Sequence, residues 1–301
     1  MPATESLMLK TAWGTAAADM FDTGVPVIAG EPVERLFTGV RSAGKLGRQS
    51  LFEKDGWLFG TATVPITMGL EAATRQVYED IFSASRNRQL ARIWNYVPAI
   101  NATSPDGLEN YHKFCRGRSL AFEQQHGAGY KAVIPSASAV GCQTSSLTVA
   151  FAACSASPRH VENPLQVPAY DYPLDYGPRP PSFARATVVP GRGKGWVFIS
   201  GTSAIRGHQT IAPHHTRDQL TCTLENLREI SLACGLGPHL DAGGSSARYF
   251  KIYLRHATDH PTVAPQIEEC LLQPGDTFSY VQADICRAPL NVEIEASLWP
   301  H

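Results

Sequence analysis

The sequence predicts an α+β fold of two tandem, pseudo-symmetric halves, each with a mixed sheet and helices packed on one face. An order of strand, helix, strand, helix, strand, strand occurs twice in the 301 residues, at a spacing of roughly 139 residues. The two copies open with similar strands, GWLFGTATVP (56–65) and GWVFISGTSAI (195–205). Self-similarity at a fixed spacing is typical of duplication, so the halves are expected to share one topology.

The first copy continues with a predicted helix from Leu70 to about Ser85, because apolar residues recur there every three or four positions. The segment ARIWNYVPAIN (91–101) is the next predicted strand. The rest of this copy is predicted to be a helix loosened near Gly117 and two strands: 110–125, 131–142 and 147–157.

The second copy has a predicted helix from about Arg217 to Cys234. Thr216 and Gln219 are predicted to form a capping box at its start, and Gly235 to end it in the left-handed conformation. The copy is completed by a strand, a helix and a final hairpin of two strands: 248–256, 262–273 and 278–298.

We expect three parts along the chain. Residues 1–158 form an N-terminal half with an entry segment, 159–186 an ordered connecting segment, and 187–301 the C-terminal half. The connecting segment is rich in proline and carries three tyrosines, Leu165 and Phe183. Proline-rich backbone with aromatic anchors is typical of an ordered surface loop. The segment is therefore predicted to hold the halves together, to form a wall of a pocket, or both.

The composition is that of a soluble globular protein, with a formal net charge of -1 and 43% hydrophobic residues. A near-neutral charge gives no electrostatic case for binding nucleic acid or an anionic membrane, and no apolar run approaches the roughly 20 residues that span a bilayer. The seven cysteines form no CxxC pair, which favours reduced thiols in the cytoplasm. No metal site or cofactor-binding motif is recognisable, so neither is expected.

The predicted final hairpin brings carboxylates and a thiol together. Glu293 and Glu295 share one face of its second strand, and Cys286 lies on its first, with the turn expected at 288–290. One interpretation is the solvated outer face of an antiparallel sheet. The other is a pocket that uses a carboxylate for proton transfer beside a thiol.

A cleft between the halves would need groups that bind a small anion. Arginines suit that role because the guanidinium binds a carboxylate through two parallel hydrogen bonds. Arg118 and Arg185 stand out because their neighbours are small or apolar. The other cationic candidates are Lys113, Arg116, Arg206 and Arg255. The run 200–203 (SGTS) ends a buried strand, where a glycine lets a ligand approach the backbone or simply packs. Residue chemistry alone predicts a cofactor-free site for a small anion.

Five segments of the sequence resemble the chorismatase family: NYHKFCRGRSLAFE, PSASAVGC, ENPLQVPAYDYPLDYGPRPPSFARA, FISGTSAIRGH and ADICRAPLNVEIEA. The resemblance covers most of the chain from about residue 90 onward, and residues 1–50 carry no part of it. The second half also resembles RidA/YjgF proteins, in Ser200-Gly201 and the terminal VEIEA. This second resemblance implies two RidA/YjgF-like halves, in agreement with the duplication.

The resemblance to chorismatases implies that pyruvate is removed from chorismate by acid/base chemistry, without metal or organic cofactor. Glu293 matches the family's catalytic glutamate. Cys286, seven residues before it, and Gly201 resemble the branch that forms 3-hydroxybenzoate, whereas the hydrolytic branch tends to carry alanines there. The expected product is therefore 3-hydroxybenzoate, with Cys286 as a second catalytic residue. Substrate contacts are expected from Arg118, Tyr172, Ser182, Arg185, Gly201, Thr202 and Arg255.

Other functions stay open from the sequence. A hydrolytic enzyme would release a dihydroxycyclohexadienoate, and a mixed one would also form 4-hydroxybenzoate. A RidA-type imine deaminase would bind its substrate's carboxylate with an arginine of the final strand pair, and a metabolite-binding protein would use the same cleft without turnover. The resemblance to RidA/YjgF proteins implies relatives that are trimers with clefts between subunits. This protein is expected to be a monomer, because duplication supplies internally the neighbour that those trimers take from another chain.

Overall fold

The computed structural model describes residues 7–14, 16, 19–37, 39–191, 193–241, 243–244 and 246–300. The elements of the first part of the chain are β1 (Met8–Ala12), β2 (Met20–Gly30), β3 (Val33–Glu34), β4 (Arg41–Leu46), β5 (Gln49–Lys54), β6 (Trp57–Pro65), α1 (Leu70–Ala84), β7 (Gln89–Pro98), α2 (Asn110–His126), β8 (Ser136–Cys142) and β9 (Ser146–Cys154). Those of the second part are β10 (Arg159–Val161), β11 (Ala186–Gly191), β12 (Gly193–Ser203), β13 (Ile205–Arg206), β14 (Gln209–Thr210), α3 (Thr216–Cys234), β15 (Ser246–Leu254), α4 (His260–Cys270), β16 (Thr277–Gln282) and β17 (Val292–Pro300).

The two halves build sheets of the same topology. The first sheet has the strand order β4-β5-β6-β9-β7-β8, and the second contains β10-β11-β12-β17-β15-β16. In each, the last strand of the repeat is antiparallel to both neighbours, while β7 with β8 and β15 with β16 run parallel. The predicted α+β class, with two tandem halves and mixed sheets, is confirmed.

Each sheet is covered by helices on one face only. Helices α1 and α2 pack on the first sheet around Val77, and α3 and α4 pack on the second around Leu227. The remaining faces of both sheets meet in one cluster that includes Phe59, Trp94 and Phe198. The order of layers is therefore helices, sheet, sheet, helices, and side chains on the two inner faces are shut away from water.

Strand β17 shows how the pleat sorts its residues between these layers. Ile294 and Ala296 belong to the core under the second pair of helices. Glu293 and Glu295, which alternate with them, are 3% and 2% exposed and point between the sheets. The predicted common face of the two glutamates is present, but it is an inner face and not a solvated one.

The predicted final hairpin is wrong. Strands β16 and β17 do not pair with each other, because β15 lies between them, parallel to β16 and antiparallel to β17. The stretch 283–291 is a loop that crosses the end of β15, and it carries Cys286. The apolar stretches of β16 and β17 have a proline between them and so resemble a hairpin. Nothing in the local sequence shows that β15, from earlier in the chain, lies between them.

Two details of the predicted helices also differ. Helix α2 runs without a break through Gly117, where a Cβ would lie 2.5 Å from the carbonyl oxygen of Glu71 on α1. The glycine lets the two helices approach closely. At the start of α3 no capping box forms, because Thr216 Oγ1 donates to Asp259 (2.8 Å) and Gln219 Nε2 donates to backbone carbonyls. The predicted left-handed end of α3 at Gly235 is confirmed, with φ 80°.

The entry segment joins the second sheet. Strand β2 pairs antiparallel with β16, through Ser279 opposite Gly30 and Val281 opposite Val27, and β1 and β3 extend the sheet to the order β15-β16-β2-β1-β3. The edge of β16 that would otherwise be open is thereby paired. Our division of the chain at 158 and 186 stays a prediction. None of the helices in the described ranges is long and apolar enough to cross a membrane.

Candidate active site

A cavity lies where β8 of the first sheet meets β12 of the second. The contact is fixed by hydrogen bonds from the backbone N–H groups of Ser136 and Ala137 to the hydroxyls of Thr187 and Ser200, both at 2.8 Å. The cavity has a volume of about 30 Å³. The lining residues come from α2, β8, the connecting segment and the second half: Tyr111, Phe114, Cys115, Arg118, Ala137, Ser138, Ala139, Pro181, Ser182, Phe183, Gly201, Cys286 and Glu293.

A bulge in β12 lies beside Glu293 at the cavity wall. Ile199 pairs with Ala296 and Thr202 with Ile294, so one extra residue of β12 is accommodated between these pairs. Such bulges re-aim side chains beside functional sites. A Cβ at Gly201 would lie 2.0 Å from Oε1 of Glu293. The glycine is therefore needed to leave room for the carboxyl group itself.

The surroundings of Glu293 favour its protonated form. Burial, and next the negative charge of Glu295, raise the pKa of Glu293 to about 8, against the opposing effects of Ser203, Arg92 and Arg185. Ser203 Oγ is the hydrogen-bond partner of Oε2 at 3.3 Å. Glu293 thus holds a proton at neutral pH and can deliver it to a molecule in the cavity.

Glu295 is a fixed anion by contrast. Its Oε1 accepts hydrogen bonds from Trp94 (3.1 Å) and Lys251 (3.0 Å), and its Oε2 from Arg92 (2.7 Å) and Tyr253 (3.0 Å). Although burial opposes ionisation, the cations of Lys251 and Arg92 hold the pKa of Glu295 well below its usual range. The two glutamates of β17 therefore have opposite protonation states at neutral pH, as acid/base sites often do.

The thiols of the wall are neutral. Burial, and next the charge of Glu293, raise the pKa of Cys286 to about 12, and burial raises that of Cys115 to about 12 as well. Burial also raises the pKa of Tyr111 well above its usual value. The carboxyl of Glu293 is thus the acid on this wall with a pKa nearest neutrality. Cys286 faces the cavity as a small protonated thiol.

Arg118 supplies an unpaired cation to the same cavity. Its guanidinium is 2% exposed and stacks on Tyr78 and Phe122, with distances of 5.3 and 5.8 Å to the ring centroids. Its buried Nε and Nη2 have no hydrogen-bond partner within the described residues, and the same holds for Oγ of Ser182. A buried guanidinium requires an anionic partner. This arrangement fits a carboxylate ligand.

Arg185 and Tyr172 lie beside the cavity. Arg185 Nη2 donates to the hydroxyl of Tyr172 at 2.7 Å and to the carbonyl of Val167 at 3.1 Å, and its guanidinium stacks on Phe183 at 4.9 Å. Tyr172 lines a second, outer chamber with a volume of about 170 Å³. This chamber shares four wall residues with the inner cavity: Tyr111, Pro181, Phe183 and Cys286. The connecting segment is therefore a wall of both.

The structure does not bring Thr202 and Arg255 to the cavity. Thr202 Oγ1 donates to the carbonyl of Ser200 at 2.9 Å. All five N–H donors of Arg255 are used: Nε on Leu290 O, Nη1 on Asn101 and Asp284, and Nη2 on the carbonyls of Ile285 and Arg287. None is left for a substrate carboxylate, so Arg255 fixes the loop that carries Cys286. The three other cationic candidates pair with acidic residues instead: Lys113 with Asp106, Arg116 with Glu71 and Arg206 with Glu225.

Several wall residues were not anticipated from the sequence. Three of these are Tyr111, Phe114 and Cys115. With the predicted Arg118 they occupy positions i, i+3, i+4 and i+7 of α2, so a single helical face supplies the aromatic, thiol and cationic groups. That spacing was readable from the sequence. Ser138 on β8 had no such signal. Among the described residues, no group of three or more His, Cys, Asp or Glu side chains is placed to hold a metal ion.

The fold and the cavity define a protein that can hold a small carboxylate beside a protonated glutamate. A family model described as "Chorismatase FkbO/Hyg5-like, N-terminal" matches residues 37–153. The 3-hydroxybenzoate synthase of Streptomyces hygroscopicus is 36% identical over 81% of this chain and 74% of its own length, and the chorismatase of Streptomyces rapamycinicus is 39% identical over 79% and 73%. A crystal structure of a chorismatase covers 99% of this chain and 94% of its own, with 28% identity and a TM-score of 0.81. The chain belongs to the chorismatase family.

Proposed function

We propose that this protein converts chorismate to 3-hydroxybenzoate and pyruvate. The observation that carries the proposal is the buried, protonated Glu293 on the wall of a cavity that also holds the unpaired guanidinium of Arg118. Chorismate is a dicarboxylate with an enolpyruvyl ether, so it needs both an anion-binding group and a proton donor. The similarity to a 3-hydroxybenzoate synthase supports the same substrate.

In the proposed reaction Glu293 protonates the methylene carbon of the enolpyruvyl group, which creates an oxocarbenium-like centre. The hydroxyl oxygen on the neighbouring ring carbon then attacks the ring carbon that carries the ether, and the ether oxygen leaves as the keto oxygen of pyruvate. The attacking oxygen, now bridging the two ring carbons, is released from the carbon that first carried it, so the hydroxyl ends at position 3 with its own proton. The ring loses one proton as it becomes aromatic, and the carboxylate of Glu293 takes that proton back. No other reactant is consumed, and the protein is returned to its starting state, so it acts as a lyase.

Arg118 and Ser182 are proposed to bind a substrate carboxylate, and Arg185 with Tyr172 to close the cavity beside it. Gly201 is proposed to position the acid by admitting its carboxyl group. Cys286 is proposed to face the ring as a neutral thiol that orients it, because a thiol with a pKa of about 12 is too weakly acidic to take part as a thiolate.

The decisive experiment is to incubate the purified protein with chorismate and to separate the products by chromatography. We expect 3-hydroxybenzoate with an equimolar amount of pyruvate. Pyruvate with a dihydroxycyclohexadienoate would establish the hydrolytic reaction instead. Formation of 4-hydroxybenzoate beside 3-hydroxybenzoate would establish the mixed reaction. Turnover of 2-aminoacrylate without response to chorismate would favour the imine deaminase. No turnover of either compound would favour a metabolite-binding protein without catalytic activity.

Two variants test the assigned roles. Glu293→Gln is expected to abolish pyruvate release, since the amide cannot donate the proton. Cys286→Ala is expected to shift products away from 3-hydroxybenzoate, and an unchanged mixture would make this thiol a packing residue.

Arg118→Met separates binding from stability. We expect a loss of roughly 10²-fold or more in kcat/KM, because a charged substrate group would lose its buried partner. The melting temperature should be unchanged or higher, since two unsatisfied buried N–H groups are removed. Arg116→Met, two residues earlier on α2 and paired with Glu71, is the matched control and should leave kcat/KM nearly unchanged.

We further propose that the protein acts as a monomer in the cytoplasm, and that it binds neither nucleic acid nor a membrane. The internal repeat supports the monomer, because each half already packs its inner face on the other. The seven cysteines are all unpaired thiols, which are typical of a reducing compartment.

A further inference from the structure

Four charged side chains are buried together between the two sheets. Glu34, Arg92, Lys251 and Glu295 are each no more than 2% exposed. Lys251 Nζ lies 2.9 Å from Glu34 and 3.0 Å from Glu295, and Arg92 Nη2 lies 2.7 Å from Glu295. The two cations and two anions form a chain with no net charge. We call these four residues the interior charge chain.

Stability alone is a weak reason for this arrangement. Removing ions from water costs several kcal/mol for each, and replacing a buried ion group by apolar residues is often neutral or stabilising. The aromatic residues around the chain, such as Trp94 and Phe198, show that an apolar interior was available here. The interior charge chain therefore needs a second role, and its position beside the cavity indicates one.

The chain ends two residues from Glu293, on the same face of β17. Arg92 also donates to the hydroxyl of Ser138 at 3.1 Å, and Ser138 lines the cavity. We propose that Glu295, held ionised by Arg92 and Lys251, is a positioning residue that keeps the proton on Glu293 until substrate is bound. This inference rests on the proposed function of Glu293 and deepens it.

The groups that face the two glutamates come from every element around them. Facing Glu293 are Glu295 from β17, Ser203 from β12, Arg92 from β7, Arg185 from the connecting segment, Cys286 from the 283–291 loop, and Tyr111, Cys115 and Arg118 from α2. Facing Glu295 are Arg92, Trp94, Tyr96, Lys251, Tyr253, Ser138 and Glu34. The thiols and phenols are neutral, so beyond the effect of burial the remaining charges set the state of Glu293.

That balance has a clear direction. With all four members charged, the chain has no net charge, but its nearest anion, Glu295, lies beside Glu293 and opposes a second negative charge there. If Glu295 becomes neutral, two cations face one distant anion, Glu34, and the ionised form of Glu293 is favoured. Neutral Glu34 has the same effect from further away. Glu34, on strand β3 of the entry segment, thus influences through its charge whether Glu293 holds a proton.

The test follows the proton on Glu293 without substrate. Unfolding free energies are measured across pH for the protein and its Glu293→Gln variant. The upper pH at which their difference levels off marks the titration midpoint of Glu293 in the folded protein. The same pair is measured with Glu295→Gln added to both. We expect the midpoint to fall by about one pH unit or more. A pair with Glu34→Gln should show a smaller fall, and one with the exposed Glu225→Gln none.

Activity provides the second readout. The high-pH limb of the kcat profile is expected to move to lower pH by the same amount in Glu295→Gln, whereas a merely structural role would lower kcat at all pH values equally. Unchanged midpoints in both folded variants would overturn the inference. If Glu295→Gln does not fold, the Glu34→Gln pair decides it alone. Absence of turnover with a shifted stability midpoint would contradict the proposed function and leave the coupling between the glutamates standing.

Discussion

Glu293 occupies the space that a side chain at position 201 would need. In Gly201→Ala the new methyl group would lie 2.0 Å from Oε1, inside any allowed contact distance, so the carboxyl group must move. A displaced catalytic group costs roughly 10²-fold in rate per ångström, and overpacking costs about 1–3 kcal/mol of stability. We expect kcat to fall by about that factor, measured as pyruvate release, together with a lower melting temperature.

Gly129→Ala is the matched control for this substitution, because a Cβ at Gly129 meets nothing within 4 Å and its backbone φ is an ordinary one. Activity equal to the parent in Gly201→Ala would contradict the close approach seen here. It would also remove the reason given for a glycine in the β12 bulge.

The protonation of Glu293 makes stability depend on pH. Its pKa is raised from 4.5 to about 8 in the folded protein, so between these values the folded chain holds a proton that the unfolded chain has released. The contribution is fully present below pH 4.5 and is lost as pH rises through 8. Glu293→Gln, always neutral, should gain stability relative to the parent between pH 5 and 8.5, by an amount on the order of several kcal/mol. Denaturant unfolding at both pH values measures it, and a constant difference would contradict the raised pKa.

The cavity residues differ in how readable they were from sequence. Glu293, Cys286, Gly201, Arg118 and Ser182 were named from the sequence and all line the cavity, while their roles stay predictions. Arg255 was named from its neighbourhood, but hydrogen bonds to a loop distant in the chain use its donors. No pattern in one sequence reveals which arginine is already paired. The inner charges did leave a signal in the sequence: Arg92 and Lys251 interrupt mainly apolar and aromatic stretches of β7 and β15.

The 283–291 loop is the element on which the position of Cys286 depends. Arg255→Lys removes the planar fork that binds it, and a lysine offers three donors where five are used. We expect faster hydrogen exchange in 283–291, a loss of about 1–3 kcal/mol in stability, and a lower kcat. Arg228→Lys, whose side chain is 61% exposed, is the control. Unaltered exchange in the loop would show that Arg255 does not hold it.

The repeat was predictable at the scale of elements, since periodicity and turn residues mark each strand and helix locally. The strand order was not, because pairing between distant segments is decided by packing. The prediction of a final hairpin is wrong for this reason. Strand β15, from earlier in the chain, pairs with both of the strands that were expected to pair with each other. The same limit hid the pairing of β2 with β16.

The whole molecule contains both faces of its central interface, and this has a consequence for assembly. Each inner sheet face is already covered by the other half, so no further copy is needed to bury it. We expect sedimentation velocity to give the mass of one chain at micromolar concentration. A mass of two or three chains would contradict the proposed monomer.

The pairing of β2 with β16 joins residues 27–30 to residues 279–281, which lie far apart in the chain, so the first are synthesised long before the second. At 5–20 residues per second, the first strand waits roughly ten to fifty seconds for its partner to be synthesised. During that interval it has an open hydrogen-bonding edge, while the first half, whose sheet needs only residues up to 154, can already be complete. The half that carries Glu293 thus forms after the first half, and its sheet is extended by a strand made before either half.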